Sequence, residues 1–442
     1  MTQVLTSTGP WIKSLGITLT IIKRLVQVLL CVILIFAIAI GGIFIYILFP
    51  LTATPTGFYF NPDPNSPYHS DFNDLFQDRV THNQFPHISM STSGSHITLS
   101  PFEYDYGNGD GINILVMTDF HFMGIPLGVD SRTDRAIRRM IAEFYYINNA
   151  MPDLILILGD NTASPLNHRA VRRLIRTMDS LNIPWAPLFG NHDGRGKADA
   201  NYQARAFEQS RNSIFRWGPN NIGVPGNYFI NIQSPTGDTI HTLYMLSNRP
   251  SPWFIETYPP LTTGQIDWYE WAVRGMIQQE NPSLDIDDIL NAVVPGTIPL
   301  SSVFTHVPMP QFEDAFQFAI ANPHLNLLYG GARGEPVHSS DTDMGLVELM
   351  FQLQSSHYMF AGHDHNSSFS VRYHRGLCQS WTYIPYATPS IRFSYVPALS
   401  GNVAMLGAYG NILGGMQITI LPNGQITQRH IMLRGGYPPV LA

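Results

Sequence analysis

Residues 154–193 read LILILGDNTASPLNHRAVRRLIRTMDSLNIPWAPLFGNHD. An apolar run ends in Gly-Asp-Asn, a stretch from about Asn167 to Leu181 has helical spacing, and a second apolar run ends in Gly-Asn-His-Asp. That is a β-α-β unit, the building block of a parallel sheet covered by helices. The alternation continues on both sides. INILVMTD at 112–119 precedes helical spacing at 132–149, while HTLYMLS at 241–247, SVFTH at 302–306 and HYMFAGHDH at 357–365 read as further strands. Helices are expected at 264–280 and 342–355, and loops at 194–235 and 281–300, where Gly, Pro and Asn are scattered without steady periodicity. Near the end, Asn423-Gly424 divides two alternating runs, so the fold should finish on an antiparallel hairpin.

The strands of this α/β pattern end in residues that bind metals. Asp119 and His121 follow the first, Asp160 the second, Asn191, His192 and Asp193 the third, His306 a fourth, and His363 and His365 a fifth. In open α/β sheets ligands gather beyond the carboxyl ends of strands, where short loops aim several side chains at one point. If the chain stays extended there, the two-residue spacing of Asp119 with His121, and of His363 with His365, sends both members of each pair the same way. A lone histidine at a strand end is ordinary, and Gly-Asp-Asn alone is a common turn. The ordered set carries the argument. Carboxylate, amide oxygen and imidazole without thiolate suit Mn, Fe or Zn in a reactive rather than a structural site. Seven candidate ligands, leaving His192 and Asp193 aside, exceed the needs of one ion and fit two ions sharing a carboxylate.

Only 13% of the 442 residues are charged, well below the roughly 25% usual for soluble domains. Part of the deficit lies in residues 25–49, LVQVLLCVILIFAIAIGGIFIYILF, an uncharged run long enough to span a bilayer. Lys13, Lys23 and Arg24 precede it and no Lys or Arg occurs between Pro50 and Asp78, which puts residues 1–24 in the cytoplasm and the bulk of the chain outside. A cleaved signal peptide is the alternative, although its apolar region usually runs about 7 to 15 residues. Residues 50–105, rich in proline, read as a stalk or wrapping segment, and residues 106–442 as the catalytic domain. The net charge of -7 supplies no basic field for a nucleic-acid backbone, so no nucleic-acid partner is expected. Cys31 and Cys378 are the only cysteines, and Cys31 sits in the apolar run, so no disulfide is expected within the domain.

The series Asp119-Phe120-His121, Gly159-Asp160-Asn161, Gly190-Asn191-His192-Asp193, Thr305-His306 and Gly362-His363-Asp364-His365 resembles the calcineurin-like metallophosphoesterases over roughly residues 110–370. MTDFHF, Gln265 with Trp268, HVPMP, Gly334-Glu335 and GHDHN look closest to the purple acid phosphatase-like members often labelled probable inactive. The resemblance implies a four-layer α/β/β/α sandwich of mixed sheets, here preceded by one transmembrane helix, and two divalent or mixed-valence ions, Mn, Fe or Zn, that activate a bridging water or hydroxide. By position, Asp119, His121, Asp160 and His365 would hold one ion, and Asp160, Asn191, His306 and His363 the other. Asn191 and His192 would meet the substrate phosphate, with Asp193 orienting the His192 ring. The Tyr that colours purple acid phosphatases is replaced by Ala163, and the Arg that protein phosphatases carry soon after the shared Asp is missing until Arg169. These departures weigh against purple chemistry and a protein phosphatase. Because the closest resemblance is to phosphatases, a phosphomonoesterase is the first expectation, a phosphodiesterase for nucleotides or lipid headgroups the second, and a non-catalytic metal-binding scaffold the third.

Other residues receive plainer readings. Arg195 and Lys197 are expected in a solvated loop, and His338, His357 and His374 as structural or exposed. Arg333 with Glu335 is ambiguous between a site role and a surface pair. Trp253, Phe254, Tyr258, Trp268, Tyr269 and Trp271 are expected in the core, and the sequon at Asn366 as an accidental match beside His365.

Overall fold

The computed structural model describes residues 10–100, 111–125, 130–252, 257–292, 298–331, 333–375, 389–400 and 413–433. They fall into two compact units, Met1–Pro50 and Leu51–Ala442. The first holds one helix, α1 (Pro10–Leu48), whose stretch Ile21–Gly42 is apolar and, at 22 residues, long enough to cross a membrane. Its side chains, Leu25, Ile35 and Phe36 among them, are exposed.

In the second unit the order is α2 (Phe72–Gln77), β1 (Arg79–Thr81), β2 (Ile88–Ser91), β3 (His96–Leu99), β4 (Ile112–Met117), α3 (Asp130–Asn148), β5 (Leu154–Leu158), α4 (Asn167–Asp179), β6 (Trp185–Leu188), α5 (Ala200–Glu208), β7 (Tyr228–Gln233) and β8 (Thr239–Leu246). Then come α6 (Thr263–Glu280), α7 (Ile286–Ala292), β9 (Ser301–Thr305), α8 (Gln311–Ala321), β10 (Leu328–Tyr329), α9 (Leu346–Leu353), β11 (Ser356–Ala361), β12 (Ser370–His374), β13 (Ser390–Tyr395), β14 (Gly414–Ile420) and β15 (Ile426–Met432).

Two mixed sheets stack. One runs β15-β14-β4-β5-β6 and the other β1-β2-β3-β7-β8-β9-β11-β13-β12-β10. Ile137, Met140 and Phe144 of α3, with Val171, Leu174 and Met178 of α4, join the same buried cluster as the all-apolar β5. A second cluster sets α6, α8 and α9 on the far side of the larger sheet, with Trp268, Phe312 and Met350 against Tyr244, Val303 and Phe393. The result is the expected α/β/β/α sandwich. It brings the carboxyl ends of parallel β4, β5 and β6 to the same edge as those of parallel β9 and β11.

Residues 51–99 are built into this unit. Phe60, Phe72 and Phe76 are buried, Trp271 donates to the Ser70 carbonyl, and β3 pairs in parallel with β7. The expected hairpin forms as β14–β15, with Gly424 in the left-handed region at φ 76°. The loop expectations for 194–235 and 281–300 were too simple, because α5 and β7 occupy the first and α7 the second. α5 has nine residues and buries only Gln203, Ala204 and Phe207, too short a stripe to stand out as periodicity. The helix expected at 342–355 is trimmed by left-handed residues at both ends, Gly345 and Gln354. Cys378 lies outside the described residues.

Candidate metal centre

Six of the seven candidate ligands, all but Asn191, gather in groups, but not through extended chain. β4 ends at Met117, and beyond it Asp119 and His121 take φ values of 57° and 48°; Asp160 has 49° and His363 77°. These four are half of the eight non-glycine residues with positive φ among those described. Such backbone is costly for residues with a Cβ and persists where surrounding contacts impose it, often at functional sites. The pairwise spacing therefore delivers its side chains by left-handed turns, not by the pleat. Two glycines make the turns fit: a Cβ on Gly159, itself at φ 85°, would lie 2.6 Å from the Gly190 nitrogen, and one on Gly190 would lie 2.3 Å from Asp160 Oδ1.

Hydrogen bonds lock the loops together across the sheets. His306 Nδ1 lies 2.6 Å from the Leu158 carbonyl, an acceptor only, so Nδ1 carries the proton and Nε2 faces inward. The same ring Nε2 is 3.2 Å from Asp160 Oδ2 and 3.9 Å from Asp119 Oδ1. Asn248 supports this corner, its side-chain oxygen accepting from Thr305, His306 and Val307. His363 donates its backbone N–H to Asp119 Oδ2. Asp364, between the two terminal histidines, accepts from Tyr395 Oη at 2.5 Å and pairs with His338 Nδ1 at 2.6 Å, which fixes that loop.

Two groups of ligand atoms result. Asp119, His121 and His365 gather in one, and Asp160, His306 and His363 in another, each within 4.8 Å; Asp160 also gathers with His121 and His192. Asp160 Oδ2 is 3.6 Å from His121 Nε2, so its carboxylate stands between the groups. Asp119 Oδ1, Asn191 Oδ1 and His306 Nε2 are buried without a hydrogen-bond partner. Buried acceptors are normally satisfied, and three orphans of ligand type, two of them in the groups just described, fit a cation.

The electrostatics agree. Burial pushes the Asp119 and Asp160 carboxyls up, yet the surrounding histidines outweigh it and both fall well below the usual range. Burial pushes His306 down, but Asp160 and Asp119 carry it up to about 9. The cluster thus attracts positive charge so strongly that a proton is drawn in. A cation occupying the site would displace that proton, since coordination needs neutral imidazole.

His192 differs from the ligands. Its side chain is 33% exposed, against 21% for His365 and 1% or less for Asp160 and His306, so it is the most open of these groups. Its Nδ1 lies 3.1 Å from Arg195 Nη1, and Arg195 Nε donates to the Ser251 carbonyl at 2.7 Å. Guanidinium has donors only, so Nδ1 accepts and the neutral ring carries its proton on Nε2. Burial and the charges of His121, Arg195 and His306 lower His192 to about 3 despite Asp160. Asp193 does not orient this ring as expected. Its carboxylate is turned under the loop, accepting from Gly190 N, Asn161 N and Nδ2, and Thr162 N and Oγ1. Burial and Asp160 push it up to about 6, against those donors.

Tyr258 also departs from expectation: it is partly exposed, with its ring 4.4 Å from that of His363, at the mouth of the site. Trp268 and Tyr269 are core, and Trp271 packs on Phe60 and Phe72. Trp253 and Phe254 lie outside the described residues. Asn366 is buried and donates its backbone N–H to Glu335 Oε1 at 2.7 Å, as an unused sequon could. Arg333 pairs with Glu313 and donates Nε to the Glu335 carbonyl, while the Glu335 carboxylate accepts from Asn366 N beside His365.

The profile of the calcineurin-like phosphoesterase family matches residues 112–367, more than half of the chain and all of the strand ends above. Phosphatase DCR2 of Saccharomyces cerevisiae is 24% identical over 237 residues, covering 50% of this chain and 37% of the yeast protein. An uncharacterized protein of Schizosaccharomyces pombe is 22% identical over 288 residues, covering 62% and 49%. The matches thus span less than half the length of either curated relative. Among solved structures, TT1561 of Thermus thermophilus aligns with a TM-score of 0.32 at 10% identity over 72% of this chain and 98% of that one. Purple acid phosphatase PPD1 of yellow lupin aligns with 0.37 at 11%, over 76% and 56%. With the profile spanning every loop of the metal centre, the chain belongs to the calcineurin-like phosphoesterase family.

Proposed function

We propose that this chain is a metal-dependent hydrolase of phosphomonoesters with two ions, held by Asp119, His121, Asp160 and His365 and by Asp160, Asn191, His306 and His363. The observation that carries the reading is the pair of ligand groups on either side of the Asp160 carboxylate. Mn, Fe and Zn all suit the donors. When bound, such ions supply Lewis-acid charge to the phosphoryl oxygens and acidify the attacking water. The chain's own part is positioning. His306 is held as the Nδ1–H tautomer by Leu158, and His192 presents Nε2–H toward the cleft because Arg195 occupies Nδ1. A neutral N–H there donates to the phosphoryl group as charge builds. The low pKa of His192 favours this donor role over protonation of the leaving oxygen.

The apolar helix supports a membrane anchor with the domain on the non-cytoplasmic side, given the lysine and arginine bias before it. The partners are then bilayer lipid along residues 25–49 and a phosphorylated small molecule at the site. The deciding experiment loads the full-length chain, in neutral detergent, with Mn or Fe and compares p-nitrophenyl phosphate with its bis ester. Monoester turnover lost in Asn191→Ala, and reduced about 100- to 10,000-fold in His192→Ala with metal content retained, is expected. Preference for the diester would move the assignment to a phosphodiesterase. Two bound metals with neither ester turned over would refute the general esterase and favour the scaffold reading.

A further inference from the structure

The far end of β11 carries a second cluster of charge. A cleft of about 320 Å³ opens there, lined by His357, Tyr358, Arg372, Ser390, Arg392 and Gln425 among others. Tyr358 is some five residues from His363 along the chain, roughly 16 Å at about 3.3 Å per residue, so the cleft is separate from the metal centre.

Register places the charge. Tyr358 pairs with Arg392 across β11 and β13, and Arg392 pairs with Arg372 across β13 and β12, so the three stand in one row on one face. Two steps along the same face, Ser370 and Ser394 each accept from Gln428 of β15 at 2.8 Å. The guanidinium groups therefore face the gap between the sheets, where the Gln428 bridge closes its inner end.

Directly opposed like charges destabilise a strand pair. Elsewhere an arginine meets an acid, as Arg173 does Asp134, Arg274 does Glu270 and Asp287, and Arg333 does Glu313. Arg372 and Arg392 do not: among the described residues their guanidinium groups meet no acid and no hydrogen-bond acceptor, only the Tyr329 ring, with guanidinium carbons 5.7 and 3.9 Å from its centroid. One neutral ring shared between two cations leaves their charge uncancelled. Both residues are partly exposed and line the cleft. Planar guanidinium pairs match the oxygens of a tetrahedral dianion, and the lining adds a phenol, a hydroxyl, an imidazole and an amide.

We propose that this cleft binds a phosphate-class dianion between Arg372 and Arg392, independently of the metal centre. The volume admits a phosphoryl group with a small organic body, so free phosphate and a lipid phosphate headgroup share the required chemistry.

The test uses the full-length chain in neutral detergent, stripped of metal by chelation, with binding followed by calorimetry. The probes are inorganic phosphate and a short-chain phosphatidic acid below its micelle concentration. Saturable binding of at least one, with Kd about 1 mM or tighter, is expected. It should weaken at least ~10-fold in Arg372→Gln/Arg392→Gln, weaken less in Arg392→Lys, which keeps the charge but not the planar fork, and survive Asp160→Asn. Binding of the lipid alone, with the same arginine dependence, would identify a headgroup as the ligand. In wild-type protein, phosphate or the lipid should also slow phenylglyoxal modification of Arg372 and Arg392, a readout that needs no variant to fold. Equal binding by the double glutamine variant, no saturation by either probe, or no protection of the two arginines would overturn the proposal.

Discussion

Arg195 and Asp193 exchange the parts that their positions in the sequence suggest. Asp193 adjoins His192 yet bonds to the Gly190–Thr162 side of the loop, while Arg195 reaches the ring. Nothing local marks Arg195, because its other anchor, the Ser251 carbonyl, is 56 residues away and comes near only through the fold. Tyr258 was hidden for the same reason: an aromatic near a helix reads as core until the position of His363 is known. If Arg195 holds the His192 tautomer, Arg195→Ala should cost about 1.5–3 kcal/mol, the worth of a hydrogen bond to a charged group, or roughly 10- to 100-fold in kcat. KM should change little and metal content not at all, and Arg195→Lys, which also offers donors only, should recover part of the loss. Parallel measurement of kcat, KM and bound metal checks this. A rise in KM with kcat intact would instead make Arg195 a substrate-binding residue.

At the scale of elements, what could be read was what repeats. β4, β5, α3 and α4 stood out because an apolar run of five or six residues and helices of 13 and 19 residues carry clear patterns. The ligands were legible because each follows such a run. The left-handed turns that aim them were not, since Asp and His carry no mark of positive φ until neighbours such as Gly159 and Gly190 are packed together. The tie between the two sheets was equally silent. His241 of β8 must carry its proton on Nδ1, which meets the Gly424 carbonyl at 2.8 Å in the β14–β15 turn, while Ser302 Oγ lies 2.8 Å from Nε2. Gly424 allows this approach, since a Cβ there would lie 2.2 Å from the Ile240 carbonyl oxygen. Burial lowers His241 to about 4 from 6.5. Between those values the unfolded chain takes up a proton that the folded chain refuses. The contribution of neutral His241 is thus complete above pH 6.5 and lost as pH falls toward about 4. The shift from 6.5 to about 4 corresponds to a loss on the order of 3 kcal/mol. Urea midpoints of metal-stripped protein at pH 7 and about 4.5 should drop less in His241→Gln, whose amide can make both bonds, than in wild type. An identical drop in the two would show that His241 does not set the acid limit.

For the whole molecule, the decisive contrast is between the helix of Met1–Pro50 and the enzyme-family unit of Leu51–Ala442. The 22 residues Ile21–Gly42 would span about 33 Å as a helix, slightly more than a typical hydrocarbon core. A stretch of that length and composition exposed to water would be expensive, which favours lipid around it. Orientation then follows from charge: Lys13, Lys23 and Arg24 lie on the amino side, while the first basic residue on the other side is Arg79. Length also bears on cleavage, because the apolar region of a signal peptide usually runs about 7 to 15 residues, shorter than this one. The proposal is that the chain stays anchored with its metal centre facing away from the cytoplasm. A full-length chain tagged at both ends should resist carbonate extraction and keep both tags. In sealed vesicles with the cytoplasmic face outward, protease should remove the amino-terminal tag and spare the carboxyl-terminal one. Release of a shortened, carbonate-soluble chain would identify a signal peptide, and loss of the carboxyl-terminal tag would place the domain in the cytoplasm. Replacing Lys13, Lys23 and Arg24 with Gln while adding three lysines between Pro50 and Asp78 should raise the fraction of inverted chains, because the bias, not the apolar run, carries the direction.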